Sequence, residues 1–193
     1  MNKKLYNVGT IGNTKTKHNG KHTKQYHMWS NMLTRCYNKN YQNLKETYKN
    51  CKVCEEWLCF ENFEKWYFEN YYDFNGLLAL DKDILIKNNK IYSPNTCLLI
   101  PYEINSIFTK CDKARNDLYI GVTKKGNLYV GRVCEYLTIG ERIAKSFNNP
   151  LDAFNWYKEE KEKYIKEVAD KYKETIPTKV YNALYNYKVD IND

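Results

Sequence analysis

Two carboxylates two residues apart, Asp81 and Asp83, follow an apolar run from Leu77 to Leu80. Side chains alternate across a strand, so on a β-strand both would share one face and Lys82 would take the other. Such a pair can converge on one cation, and an oxygen-only site suits Mg2+ or Mn2+ better than zinc. The same two groups do no chemistry if they only solvate an open face, or if one pairs with Lys82 or Lys87. A second candidate is Cys51-Lys52-Val53-Cys54. Structural zinc takes four thiolate or imidazole ligands, usually from two such pairs. Zinc at Cys51 and Cys54 would need Cys36, Cys59 or Cys97 to complete it, and buried thiols are the expected state.

The remaining candidates are cationic. Residues 1–26 hold six lysines (Lys3, Lys4, Lys15, Lys17, Lys21 and Lys24) and no Asp or Glu, so six of the eight net positive charges lie there. With three glycines and little apolar content, the segment reads as a mobile basic arm suited to phosphate contacts, or as a plain solvated tail. His18 and His22 are too loosely spaced to argue for a metal.

The elements that must position these groups follow from periodicity. Trp29, Met32, Leu33 and Cys36 recur at helical spacing and predict a helix over 26–37 with a buried stripe. A second helix is expected over 55–70, with Trp57, Phe60, Phe63, Trp66 and Tyr67 as core rather than as a stacking platform. Residues 77–86 read as a strand, Lys87-Asn88-Asn89-Lys90 as a turn, and Ile91-Tyr92 as the return strand. Pro101 then opens a helix carrying Ile104, Ile107 and Phe108. Residues 111–117 read as a linker, and 118–122, 128–136 and 141–147 as three strands. Asn149, Pro150 and Asp152 mark the start of a long helix over 150–172. Its length outruns a three-stranded sheet, so its second half must pack elsewhere or stand in solvent. The 176–193 tail, rich in Tyr, has no assigned place.

The stretch Leu80-Asp81-Lys82, then Tyr92-Ser93-Pro94 with Cys97, resembles the ββα finger of HNH-type nucleases, and more closely phage homing-endonuclease-like proteins. Trp29, Met32-Leu33, Arg35-Cys36-Tyr37 and Val53-Cys54-Glu55-Glu56-Trp57 with Phe60 and Phe63 extend that resemblance upstream. It implies Asp81 and Asn105 as Mg2+ ligands, Asn95 one place from the loop Asn, and Asp83 as a second ligand or base. Lys82 occupies the general-base His position, where a protonated ammonium has no lone pair to accept a proton. Downstream, Tyr119-Ile120-Gly121-Val122, Tyr129-Val130-Gly131-Arg132-Val133, Phe147, Pro150, Ala153 and Phe154 resemble the plant ethylene-response-factor (Apetala-type) DNA-binding domain. That family lays its sheet in the major groove, which implies Lys124, Lys125, Arg132, Arg142 and Lys145 as DNA contacts here.

The sequence reading is thus a mixed α+β protein of 193 residues, with modules 27–110 and 118–175. No run approaches the roughly 18 apolar residues of a membrane span, and no apolar signal region opens the chain. Seven cysteines, an odd number in a chain of this size, are expected as reduced thiols in a cytoplasm. With the phage resemblance, that means a phage-encoded protein in its bacterial host. Double-stranded DNA is the expected partner. The alternative is a catalytically inactive relative that binds nucleic acid or a protein, such as an inhibitor of host defence.

Overall fold

The stripe expected on the first helix is where the first core is built. The computed structural model describes residues 4–109, 117–138 and 140–193. The chain forms two units, Met1–Asp73 with Leu78–Ile100, and Phe74–Leu77 with Pro101–Asp193.

In the first unit, a two-stranded ribbon, β1 (Lys17–His18) and β2 (Lys21–His22), leads into α1 (Lys24–Tyr37). Thr23 caps α1 by accepting the Tyr26 N–H, and α1 buries Trp29, Met32, Leu33 and Cys36 as expected. Asn38 ends α1 and caps the short α2 (Lys39–Leu44). The second helix starts later than expected. Glu56–Leu58 form a 3-10 turn and α3 runs Phe60–Asn70, yet Trp57, Phe60, Phe63, Trp66 and Tyr67 are all buried. The Trp29 Nε1–H donates to the Trp57 carbonyl at 2.8 Å, joining α1 to this aromatic cluster.

The N-terminal segment belongs to this core. Thr10 pairs with Cys59, and the Phe60 and Glu61 N–H groups donate to the Thr10 and Ile11 carbonyls. Leu5, Tyr6, Val8 and Ile11 pack on the core. Gly9 sits so close that a Cβ there would lie 2.5 Å from Leu33 Cδ1. The expectation of a mobile arm over 1–26 is therefore corrected for its described part.

The expected 77–86/91–92 hairpin does not form. β4 (Leu78–Asp81) pairs with β6 (Leu98–Pro101), while β5 (Ile91–Tyr92) runs parallel to β3 (Lys52–Val53), with Lys52 opposite Ile91. Residues 82–88 bend instead of extending. α4 (Tyr102–Ser106) is a short helix with Ile104 buried.

In the second unit, β7 (Val122–Lys125), β8 (Leu128–Glu135) and β9 (Glu141–Phe147) form an antiparallel sheet. β7 starts later than expected because Gly121 takes a left-handed φ of 74° just before it. The sheet packs on α5 (Pro150–Tyr172), whose N-cap is Asn149 as read from the sequence. The far half of α5 buries Tyr164, Ile165, Val168 and Ala169, next to the buried Ile176 and to Val180 and Leu184 of α6 (Thr178–Tyr185). The tail thus has a defined place, and α5 does not stand in solvent. Two more contacts close this unit: Tyr102 N–H donates to Leu77 O at 2.8 Å, and the Phe74 and Tyr172 rings lie 6.3 Å apart. The expected linker lies outside the described residues, apart from Asp117.

Gly131 shows how tightly sheet and helix meet. A Cβ there would lie 2.7 Å from both the Ala153 carbonyl oxygen and Trp156 Cε3. Backbone cannot swing aside, so Gly131→Ala is expected to cost about 1–3 kcal/mol, read as a lowered thermal midpoint.

Candidate nucleic-acid interface and metal position

Asp81, the last residue of β4, uses its side chain to turn the chain. Its Oδ1 accepts the N–H groups of Asp83 at 2.9 Å and Ile84 at 2.8 Å. This Asx-type turn replaces strand continuation and drives Ile84 into the interior, where it is 7% exposed. Burial pushes the Asp81 carboxyl above the usual carboxylate range, and the bond from Ile84 partly offsets that. Asp83 is exposed, and its Oδ1 receives the Lys82 ammonium at 2.6 Å. The Lys82 side chain is 7% exposed. Its Nζ also donates to the Asn89 carbonyl at 2.8 Å and lies 5.8 Å from the centre of the Tyr92 ring. The Tyr92 phenol bonds Arg35 as well, so both cations share one buried ring.

The expectation that Asp81 and Asp83 converge from one strand face is therefore corrected. One carboxylate caps a turn and the other is ion-paired, because the strand stops at Asp81. Asn105 lies on α4 in the second unit, while Asp81 and Asn95 belong to the first. Asn95 is exposed in the turn closed by the Thr96 and Cys97 N–H groups on Ser93 O. Among the described residues, no group of three or more His, Cys, Asp or Glu side chains is placed to hold a metal ion. The Asp81 carboxylate is a hard oxygen donor of the kind Mg2+ takes, but an ion there would compete with two N–H groups. Cys51 is buried and Cys54 half-buried. The described cysteines are free, and burial raises Cys36 and Cys97 to about 12.

The sheet sorts the five expected contacts by face. Gly131 faces α5, so its cross-strand partner Lys145 and the Tyr129–Lys124 pair lie on the helix side. There Lys124 Nζ sits 5.7 Å from the Tyr129 ring centre, and Lys145 Nζ 5.6 Å from that of Phe147. Arg132, Lys125 and Arg142 lie on the other side, Arg142 opposite Cys134. Hydrogen bonds with the Cys134 and Tyr136 side chains raise the Arg142 pKa. At the middle of this side Val130 and Thr123 Oγ1 are buried, so the accessible cations form a rim, with Lys125 and Arg142 exposed and Arg132 half-buried.

Lys15, Lys17, Lys21 and Lys24 are exposed on and beside the β1–β2 ribbon. Sequence reasoning missed this ribbon. Its signal was Asn19-Gly20, which supplies the two left-handed residues of a tight turn (φ 50° and 76°).

Compared with known proteins, the chain matches no family model, no curated protein and no solved structure. No helix among the described residues is long and apolar enough to cross a membrane.

Proposed function

We propose that this is a duplex-DNA-binding protein of the phage homing-endonuclease type, whose second unit contacts DNA through the sheet side facing away from α5. The observation that carries the reading is Arg132 and Arg142 on that one side, with Lys125 at its edge. Support along the chain is the order of elements after Leu77, in which β4, β5 and β6 are followed by α4. If the family's cleavage chemistry is retained, Asp81 would be the first unit's ligand to Mg2+. Bound there, the ion would polarise a scissile phosphate and stabilise its leaving oxygen.

A second reading is favoured by two contacts. Asp81 Oδ1 is spent on a turn, and Lys82, in the base position, is buried and bonded to Asn89 and Asp83. On this reading the chain binds DNA or a protein partner as a regulator without cutting. A Mg2+-dependent plasmid-nicking assay separates the two.

Arg132→Ala and Arg142→Ala are each expected to lower preference for a selected sequence over random duplex. The loss is about 1–3 kcal/mol for a base contact. Equal losses on both DNAs would make them backbone contacts, and no loss on either would remove this side of the sheet from the interface.

A further inference from the structure

The β1–β2 ribbon is a built element that buries nothing of its own. Every residue from Lys17 to His22 is exposed, and none has an apolar side chain. An isolated two-stranded hairpin is marginal in water. This one is braced at its root. Thr23 N–H donates to Thr16 O at 3.0 Å, Asn13 N–H to Glu61 Oε2 at 2.9 Å, and Gln25 Nε2 to Glu64 Oε1 at 3.0 Å, while Thr14 Oγ1 also bonds Glu64. The His22 ring stacks on Tyr26 with centroids 4.3 Å apart. The two α3 carboxylates near the root are thus held in hydrogen bonds at its foot. No Asp or Glu occurs anywhere in residues 1–45, and all three histidines of the chain, His18, His22 and His27, lie in or beside the ribbon.

The register decides what shape of anion this fits. Lys17 pairs with His22 and His18 with Lys21, so each face of the ribbon carries one lysine and one histidine. A surface meant to lie flat on a polyanion needs its charge on one face. Charge on both faces suits insertion between two phosphate-lined walls. The major groove of duplex DNA, about 12 Å wide, admits a two-stranded ribbon. We propose that the Lys17–His22 ribbon inserts into the major groove of duplex DNA. There it is a preformed, sequence-independent docking element on the first unit, with Lys17 and Lys21 reaching the phosphates on either side. The inference rests on the duplex-DNA reading above but uses none of the sheet residues.

The test is anisotropy of a labelled mixed-sequence duplex across a salt series. It compares the full chain, Lys17→Gln/Lys21→Gln, and a control pair of equal charge loss, Lys163→Gln/Lys173→Gln, on the second unit. The ribbon pair should flatten the log–log salt slope by about 1.8 and weaken binding at least tenfold at low salt, while the control pair changes the slope far less. Guanine N7 methylation should be blocked by the full chain and restored with the ribbon pair. An unchanged slope, an equal effect of the control pair, or an equal slope loss on single-stranded DNA overturns the insertion. If the ribbon pair binds like wild type while Arg132→Ala/Arg142→Ala does not, the inference fails and the sheet reading stands. If the unaltered chain binds no duplex, both fail together.

Discussion

Asp81→Asn will keep the first unit folded and abolish any Mg2+-dependent nicking, whereas Asp81→Ala will damage both. The turn needs an acceptor oxygen for the Asp83 and Ile84 N–H groups. An Asn amide oxygen supplies it and an alanine methyl does not, so the alanine variant should lose about 1–3 kcal/mol by leaving those donors unpaired. A carboxylate ligand to Mg2+, by contrast, cannot be replaced by an amide without loss of charge. The pH dependence has a definite sign. Because burial raises the folded Asp81 pKa above its unfolded value, the folded chain holds a proton that the unfolded chain has released in that window. This contribution to stability is fully present below the unfolded pKa and is lost as pH rises through the folded one. Asp81→Asn removes that dependence and should gain on the wild type as pH rises from about 4 to neutral. Denaturant unfolding at several pH values, beside a plasmid assay, measures both. Wild-type nicking by Asp81→Asn would remove Asp81 from any metal site. A chain that never nicks leaves the regulator reading standing.

Lys82→Ala will be the more destabilising change, by about 2–4 kcal/mol, and Lys82→Met will recover most of it. The alanine variant deletes a buried stem and leaves the Asn89 carbonyl without its ammonium donor. Methionine refills the stem's volume with no charge to pair, and the exposed Asp83 returns to water. Lys82→His, which on resemblance alone should restore a general base, is instead expected to destabilise the corner without raising nicking. The position is closed in by Asn89 and Tyr92. A His variant that nicks faster would overturn that placement.

What could be read from the sequence was what repeats along one element. The α1 stripe of Trp29, Met32, Leu33 and Cys36 obeys a 3.6-residue period, and Asn149-Pro150 announces α5 by cap chemistry. What could not be read was which strands meet. Ile91-Tyr92 follows a polar turn and looks like a return strand, yet its partner is Lys52-Val53, which a two-residue strand cannot advertise. Lys82 misled for a related reason. Alternation puts it opposite Asp81 and Asp83 only if the strand continues, and the Asp81 side chain ends the strand. The basic ribbon escaped notice because it has no apolar residue, so its Asn-Gly turn was its single sign.

The division of the chain bears on how such a protein could be shuffled in evolution. Residues Phe74–Leu77 belong to the second unit, although they precede a stretch of the first, Leu78–Ile100. A single recombination point downstream of Ile100 would transfer the sheet and α5 but leave behind the Leu77 carbonyl that Tyr102 bonds and the Phe74 ring beside Tyr172. Gene exchange that moves the second unit whole without splitting the first needs three crossovers, at 73/74, 77/78 and 100/101, or a donor whose own residues 74–77 already match. A single exchange point therefore cannot deliver both units intact.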